Sequence, residues 1–208
     1  MTYDAIREEE LKNKVAKDFF NAFDCTKIMG NLDFCVTLPT AVKAQNALFE
    51  TESFFWAEAK KGKTEITKSM VQLILTVGKA RPFDTYLPPA FLGAFDAEKI
   101  AFMPYNDIQA LFYQNDFNWN VTPSNPDTKE FKQIYHTIVQ NMEDNALVYF
   151  FETDAADLRQ FIKTNFRAGQ SATSKIQIDK NNFIVIYNKW LASVKPSIAL
   201  NWDLAQKK

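Results

Sequence analysis

Between Tyr3 and about Phe23 the apolar residues Leu11, Val15, Phe19 and Phe23 return at helical spacing, with Lys12, Lys14, Lys17 and Asp18 between them. The segment therefore reads as an amphipathic helix that turns its lysines outward. Gly30-Asn31 then breaks the pattern. Leu32-Asp33-Phe34-Cys35-Val36-Thr37-Leu38 is dense in strand formers until Pro39 interrupts it, which predicts a strand with an acid near its start. After a variable stretch from Thr40 to Glu52, Ser53-Phe54-Phe55-Trp56-Ala57-Glu58-Ala59-Lys60 reads as a second strand, closed by Lys61-Gly62-Lys63. Side chains two apart on a strand share a face, so Phe54, Trp56, Glu58 and Lys60 are expected on one side and Phe55, Ala57 and Ala59 on the other. Glu58 and Lys60 then leave the strand's exit together, and the small second face suits a closely packed helix.

Thr64 is the expected N-cap of a helix from Glu65 to Lys79, whose middle, Met70 to Val77, is apolar nearly all round and so belongs against the sheet. Gly78 weakens its end, and Arg81-Pro82 with Pro88-Pro89 marks a loop. Phe91 to Phe95 and Ile100 to Met103 read as two short strands about the turn Asp96 to Lys99, followed by a short helix from Asn106 to Tyr113. The polar stretch Asn115 to Asp127, with Pro123 and Pro126, is the candidate internal boundary. Beyond it the pattern predicts a helix from Lys129 to Met142, a strand from Ala146 to Phe151, a helix from Ala155 to Phe166, a loop from Gly169 to Ser174 and a helix near Asn182 to Ser193. Alternating strands and helices predict an α/β fold, divided into a core, 1–115, and a smaller α/β extension, 116–208.

Composition narrows the functional classes. Of 208 residues, 47% are hydrophobic and 24% charged, which sets aside disordered and fibrous chains, and 19 phenylalanines point to a thick aromatic core. A net charge of −1 supplies no global basic field, so contact with phosphates must come from a local patch or from bound metal. Cys25 and Cys35 lack CxxC spacing and His136 stands apart from both, which argues against a zinc site. Only 5 glycines are present, and neither a Walker sequence nor GxGxxG is among them. No secretory start and no run of ~20 apolar residues is seen, so a cytoplasmic protein with reduced thiols and no membrane partner is expected. Because Trp202 to Lys208 stops just after an apolar segment, the chain is expected to be one piece of a longer polypeptide.

Hydrolysis of a phosphodiester needs an activated water and neutralisation of the charge that builds on the phosphate. An acid on one strand and Glu58-Ala59-Lys60 on the next, followed by a helix, supply such a set compactly. The same spacing occurs in Glu10-Leu11-Lys12 and Glu130-Phe131-Lys132, both on expected helices. Context separates Glu58 from these: an apolar strand in front, an acid-bearing strand before it and a buried helix behind. The alternative is a solvated strand end with a lysine-rich turn.

The run Phe55-Trp56-Ala57-Glu58-Ala59-Lys60-Lys61-Gly62, continuing through Val71 to Ala80, resembles the N-terminal region of large bacterial restriction-modification and DNA-methylase polypeptides, and Phe91 to Asp96 and Phe117 to Ser124 extend the likeness. In that family a PD-(D/E)XK endonuclease-like domain precedes a methyltransferase domain. The resemblance implies a restriction-endonuclease-like core with a mixed sheet flanked by helices. It also implies double-stranded DNA as substrate, Mg²⁺ or Mn²⁺ as cofactor, and a methyltransferase domain of the same polypeptide as partner. S-adenosylmethionine would belong only to that downstream domain, since this chain has no Asn-Pro-Pro-Tyr-like turn.

Carried over by position, Glu58 and Lys60 match the Glu-x-Lys half of the motif, Asp33 matches the preceding acid, and Gln72 resembles the glutamine of RecB-like nucleases on the following helix. Asp33, Glu58 and the Ala59 backbone carbonyl are then the expected metal ligands, and Lys60 the residue that positions water. No Pro-Asp dipeptide precedes Glu58, so Glu50 and Glu52 are alternatives to Asp33. Glu8 shares a helical face with Leu11 and Val15 and is a candidate extra carboxylate, although a first-turn acid also complements the helix dipole. Lys60, Lys61, Lys63, Lys68, Lys79 and Arg81 are expected to meet DNA backbone or to form a solvated surface. The second functional reading is a catalytically inactive nuclease-fold module that positions DNA or docks to the methyltransferase.

Overall fold

A computed structural model describes residues 3, 6–39, 53–84, 86, 88–114, 116–167 and 187. Within them, β1 (Phe34–Thr37), β2 (Ser53–Ala59), β3 (Phe91–Phe95), β4 (Lys99–Pro104) and β5 (Leu147–Phe150) form one five-stranded sheet in the order β1-β2-β3-β4-β5. The helices are α1 (Glu8–Phe19), α2 (Ile66–Ala80), the single turn α3 (Tyr105–Ile108), α4 (Lys129–Asn145) and α5 (Ala155–Asn165). β2 and β3 are parallel because α2 carries the chain back across the sheet between them, and the remaining neighbours are antiparallel. The fold is therefore α/β, with a mixed sheet flanked by helices.

The sheet separates two hydrophobic cores. On one face Trp56, Leu92, Ala101 and Met103 pack with α2 and α4; on the other Phe34, Phe55, Ala57 and Phe102 pack with α1 and α5. The second core accounts for much of the phenylalanine content: Phe55 lies 4.6 Å from Phe102 between ring centroids, and Phe166 stacks on Phe54 at 5.4 Å. Glycine at position 93 lets Phe55 cross β3, since a Cβ there would run into the Phe55 ring and the Ala101 carbonyl.

One expectation about β2 is corrected. Val36 pairs with Phe55 but Thr37 with Ser53, so β2 carries an extra residue at Phe54. That bulge breaks the alternation and sends Phe54 to the α1 and α5 side, away from Trp56. From Phe55 onward the alternation holds, and Glu58 faces α2.

α1 is shorter than its pattern, because Phe20 leaves the helix and joins the Phe34 and Phe55 cluster. Thr64 is not the N-cap of α2. Glu65 holds that position without a side-chain cap, while the Thr64 amide and hydroxyl are both taken by Asp96. The expected helix Asn106–Tyr113 divides into α3 and a 3-10 turn, Gln109–Tyr113.

The chain beyond the polar stretch 116–128 joins the same sheet and cores. β5 pairs with β4, α4 packs on α2 through Phe131, Ile134, Ile138 and Met142, and α5 inserts Leu158 and Ile162 into the aromatic core. The expected loop Gly169 to Ser174 and helix Asn182 to Ser193 lie outside the described residues, Tyr187 excepted. No helix among the described residues is long and apolar enough to cross a membrane.

Candidate active site

β2 runs to Ala59, and the next amide, Lys60, donates to the Phe95 carbonyl at 2.9 Å, so Glu58 and Lys60 sit where the strand leaves the sheet. β1 begins one residue after Asp33, and its first pair, Phe34 with Ala57, sets Asp33 alongside the end of β2. The Ala59 amide donates to Asp33 Oδ2 at 3.4 Å. Since the N–H and C=O of a strand residue leave by the same edge, the Ala59 carbonyl emerges on the Asp33 side.

Glu58 is 3% exposed and lies between the sheet and α2. Its Oε1 accepts from Lys60 Nζ at 2.6 Å and from the Gln72 side-chain amide. Asp33 faces the same carboxyl closely enough to act on its ionisation. Three residues singled out in the sequence, Asp33 just before β1, Lys60 just after β2 and Gln72 on α2, are thus gathered about the Glu58 carboxyl group.

Burial pushes the Glu58 pKa up to about 7, with the Asp33 charge adding to the rise and the Lys60 ammonium opposing it. The folded chain therefore keeps a proton that the unfolded chain has lost between about pH 4.5 and about 7. Stability falls as pH rises through that window and stays lower above it, by about 3 kcal/mol at full ionisation. Glu58→Gln keeps the shape and removes the charge. In metal-free buffer its unfolding free energy, relative to wild type, is expected to rise by about 3 kcal/mol from acid to neutral pH. Urea titrations across that range check this, and parallel pH profiles would contradict it.

α1 contributes a residue that the pattern assigned to the outer face. Lys12 is 13% exposed along its side chain, pairs with Glu9 and senses Asp33 and Glu8. Burial opposes its charge, but the three acids together raise its pKa. No local signal separates Lys12 from its neighbours, because Asp33, which it senses, is brought near α1 only by the folded chain.

Glu8 is half-buried at the start of α1. Among the described residues no three Asp, Glu, His or Cys side chains are close enough to hold a metal by themselves, so Glu8 is not gathered with Asp33 and Glu58. Glu50 and Glu52 lie outside the described residues. Of the expected basic cluster, Lys63 pairs with Glu98 at 3.0 Å, Lys68 with Glu65 at 2.8 Å, Lys79 donates to the Val121 carbonyl at 2.7 Å, and Arg81 lies over the Phe83 ring. Lys60 stays on Glu58, and Lys61 is exposed.

The loop after Lys60 is anchored by a residue that the sequence showed only as a turn former. Asp96 is fully buried, and its oxygens accept from the Thr64 amide at 2.7 Å, the Glu98 amide at 2.8 Å and the Lys99 amide at 3.0 Å. The Ala97 amide adds a bond to the Gly62 carbonyl at 2.9 Å. Gly62 itself, at φ +71°, occupies the left-handed region that glycine tolerates.

Two cavities open near these residues. One of about 310 Å³ opens beside Asp33 between α1 and the chain leading into β1, and one of about 240 Å³ opens beside Gln72. No family model, curated protein or solved structure matches the chain.

Proposed function

We propose that the chain carries a metal-dependent endonuclease centre of the PD-(D/E)XK kind, acting on double-stranded DNA within a restriction-modification protein whose methyltransferase lies downstream. The observation that supports the catalytic centre is the convergence of Asp33, Lys60 and Gln72 on the buried Glu58 carboxyl at a strand end, while the DNA substrate and the downstream methyltransferase rest on the sequence resemblance. Two facing carboxyls, one of them pushed up to about 7, form a site whose full ionisation needs further positive charge. That donor set fits a hard divalent cation such as Mg²⁺ or Mn²⁺. Asp33 and Glu58 would hold the ion with the Ala59 carbonyl. Such an ion, when bound, lowers the pKa of a coordinated water and offsets charge on the phosphate.

The chain's own groups do the rest. Lys60, half-buried at the mouth, orients water and sets a positive charge toward the phosphate. Gln72 holds Glu58 Oε1 in place from α2, and the apolar wall around Trp56 keeps bulk water from the back of the carboxylate.

A second reading is a nuclease-fold module that positions DNA, or docks to the methyltransferase, without cutting. It is favoured by the absence, among the described residues, of a third ligating side chain beside the pair. Calorimetry separates the two. Mn²⁺ is expected to bind the chain and to lose that binding in Asp33→Ala, whereas DNA binding with no heat of metal association selects the module.

A further inference from the structure

α2 is apolar on nearly every side, yet Gln72, Thr76 and Lys79 interrupt it at i, i+4 and i+7, one line of polar groups along a buried helix. The inner end of the line is Gln72 on Glu58 Oε1, and the outer end is the exposed Lys79. Thr76, between them, is 9% exposed. The cavity of about 240 Å³ opens along this line, closed by Asn31 from the turn before β1 and by Pro123 and Ser124 from the loop leading to α4. Apolar residues at 72 and 76 would bury more hydrocarbon, so helix packing does not account for the line.

The polar groups lining this cavity are amide, hydroxyl and ammonium, with no carboxylate among them. The cavity beside Asp33 differs, since Glu9 and Asp33 both contribute to its wall. An acid-free wall of this kind suits an anion, and these are the donors that hold phosphate and sugar oxygens in nucleic-acid complexes.

We propose that this cavity receives the phosphate next to the one facing Glu58. Thr76, Lys79 and Ser124 hold its oxygens, and Asn31 meets the adjoining sugar. The proposal rests on the endonuclease reading of Asp33, Glu58 and Lys60. Because the polar line is continuous with Glu58, a DNA strand presented to the carboxylates lays its neighbouring phosphate along α2. Lys79 exchanges the neutral Val121 carbonyl for a charged phosphate oxygen, an ion pair in place of a bond to a neutral acceptor.

The test uses the 208-residue chain with Mg²⁺ and a short fluorescein-labelled DNA duplex of mixed sequence, followed by cleavage kinetics and by anisotropy. The double variant Thr76→Val with Lys79→Gln is expected to raise KM and weaken binding about tenfold, to leave kcat within about twofold, and to lower the salt slope of binding by about one. Lys163→Gln, exposed on α5 across the sheet, is the control and is expected to behave as wild type. Ser124→Ala, on an exposed loop, should raise KM about threefold and supplies the reading if the double variant unfolds. Unchanged KM and affinity in these variants, while Glu58→Ala is inactive, overturns the subsite and leaves the endonuclease reading standing. A loss confined to kcat overturns it as well, and a wild-type chain that neither binds nor cuts the duplex overturns both.

Discussion

If the chain is the endonuclease proposed, alanine at Glu58 or at Lys60 slows its DNA cleavage about a thousandfold, with little loss of DNA affinity. The two substitutions act on different groups. Glu58→Ala removes one of two carboxylates and strips Lys60 and Gln72 of their shared acceptor. Lys60→Ala leaves both carboxylates in place and removes the ammonium at the mouth of the site. Arginine at position 60 is not expected to restore the rate, because a planar fork cannot take the place of a compact point charge on the same oxygen. Gln72→Ala should cost less, about tenfold, since the amide works through Glu58. Single-turnover cleavage with Mg²⁺ measures all four, and wild-type rates in both Glu58→Ala and Lys60→Ala would falsify the endonuclease assignment.

The largest loss of stability is expected away from the carboxylates, at Asp96. Its two oxygens satisfy three backbone amides and the Thr64 hydroxyl from a fully buried position, with the Lys99 ammonium at 3.7 Å. Asp96→Ala leaves those amides unpaired, at a cost of about 3–5 kcal/mol. Asn at this position is expected to fall between wild type and alanine. One oxygen can still serve the Glu98 and Lys99 amides, but an NH₂ group then opposes the Thr64 amide, donor against donor. Urea unfolding midpoints check the order wild type, Asn, Ala. An Asp96→Ala chain as stable as wild type would show that the loop after Lys60 does not depend on this anchor.

Periodicity sufficed where one element carried its own pattern. α2, β2, β3 and α4 appear close to their expected positions because apolar spacing and turn residues agree locally. Strand alternation alone put Glu58 and Lys60 on one face, whereas Gln72 was singled out only by the resemblance, since helix periodicity by itself reads it equally well as a core amide. Asp33 required more: its place beside Ala59 depends on the pairing of Phe34 with Ala57 across the sheet.

The misread residues all turn on such cross-element contacts. Phe54 changed face because of a slip opposite Val36, which no strand shows by itself. Thr64 had the chemistry of a cap, whose oxygen accepts from helix amides, but its own amide and hydroxyl donate to Asp96 and the cap position falls to Glu65. Lys12 followed the helical period faithfully, and its nearness to Asp33 depends on how α1 and the residues before β1 come together.

The order of strands has a kinetic consequence. β3 and β4 meet around a tight turn at Asp96, whereas β5 reaches β4 only after the chain from Tyr105 to Ala146 has crossed α2 and returned. Closing that long excursion costs chain entropy before any pairing repays it, so docking of β5 belongs to the late stages of folding. Until then Leu147, Val148 and Phe150, which keep about two fifths of their surface in water even in the finished sheet, stand fully open to pairing with another unfinished chain.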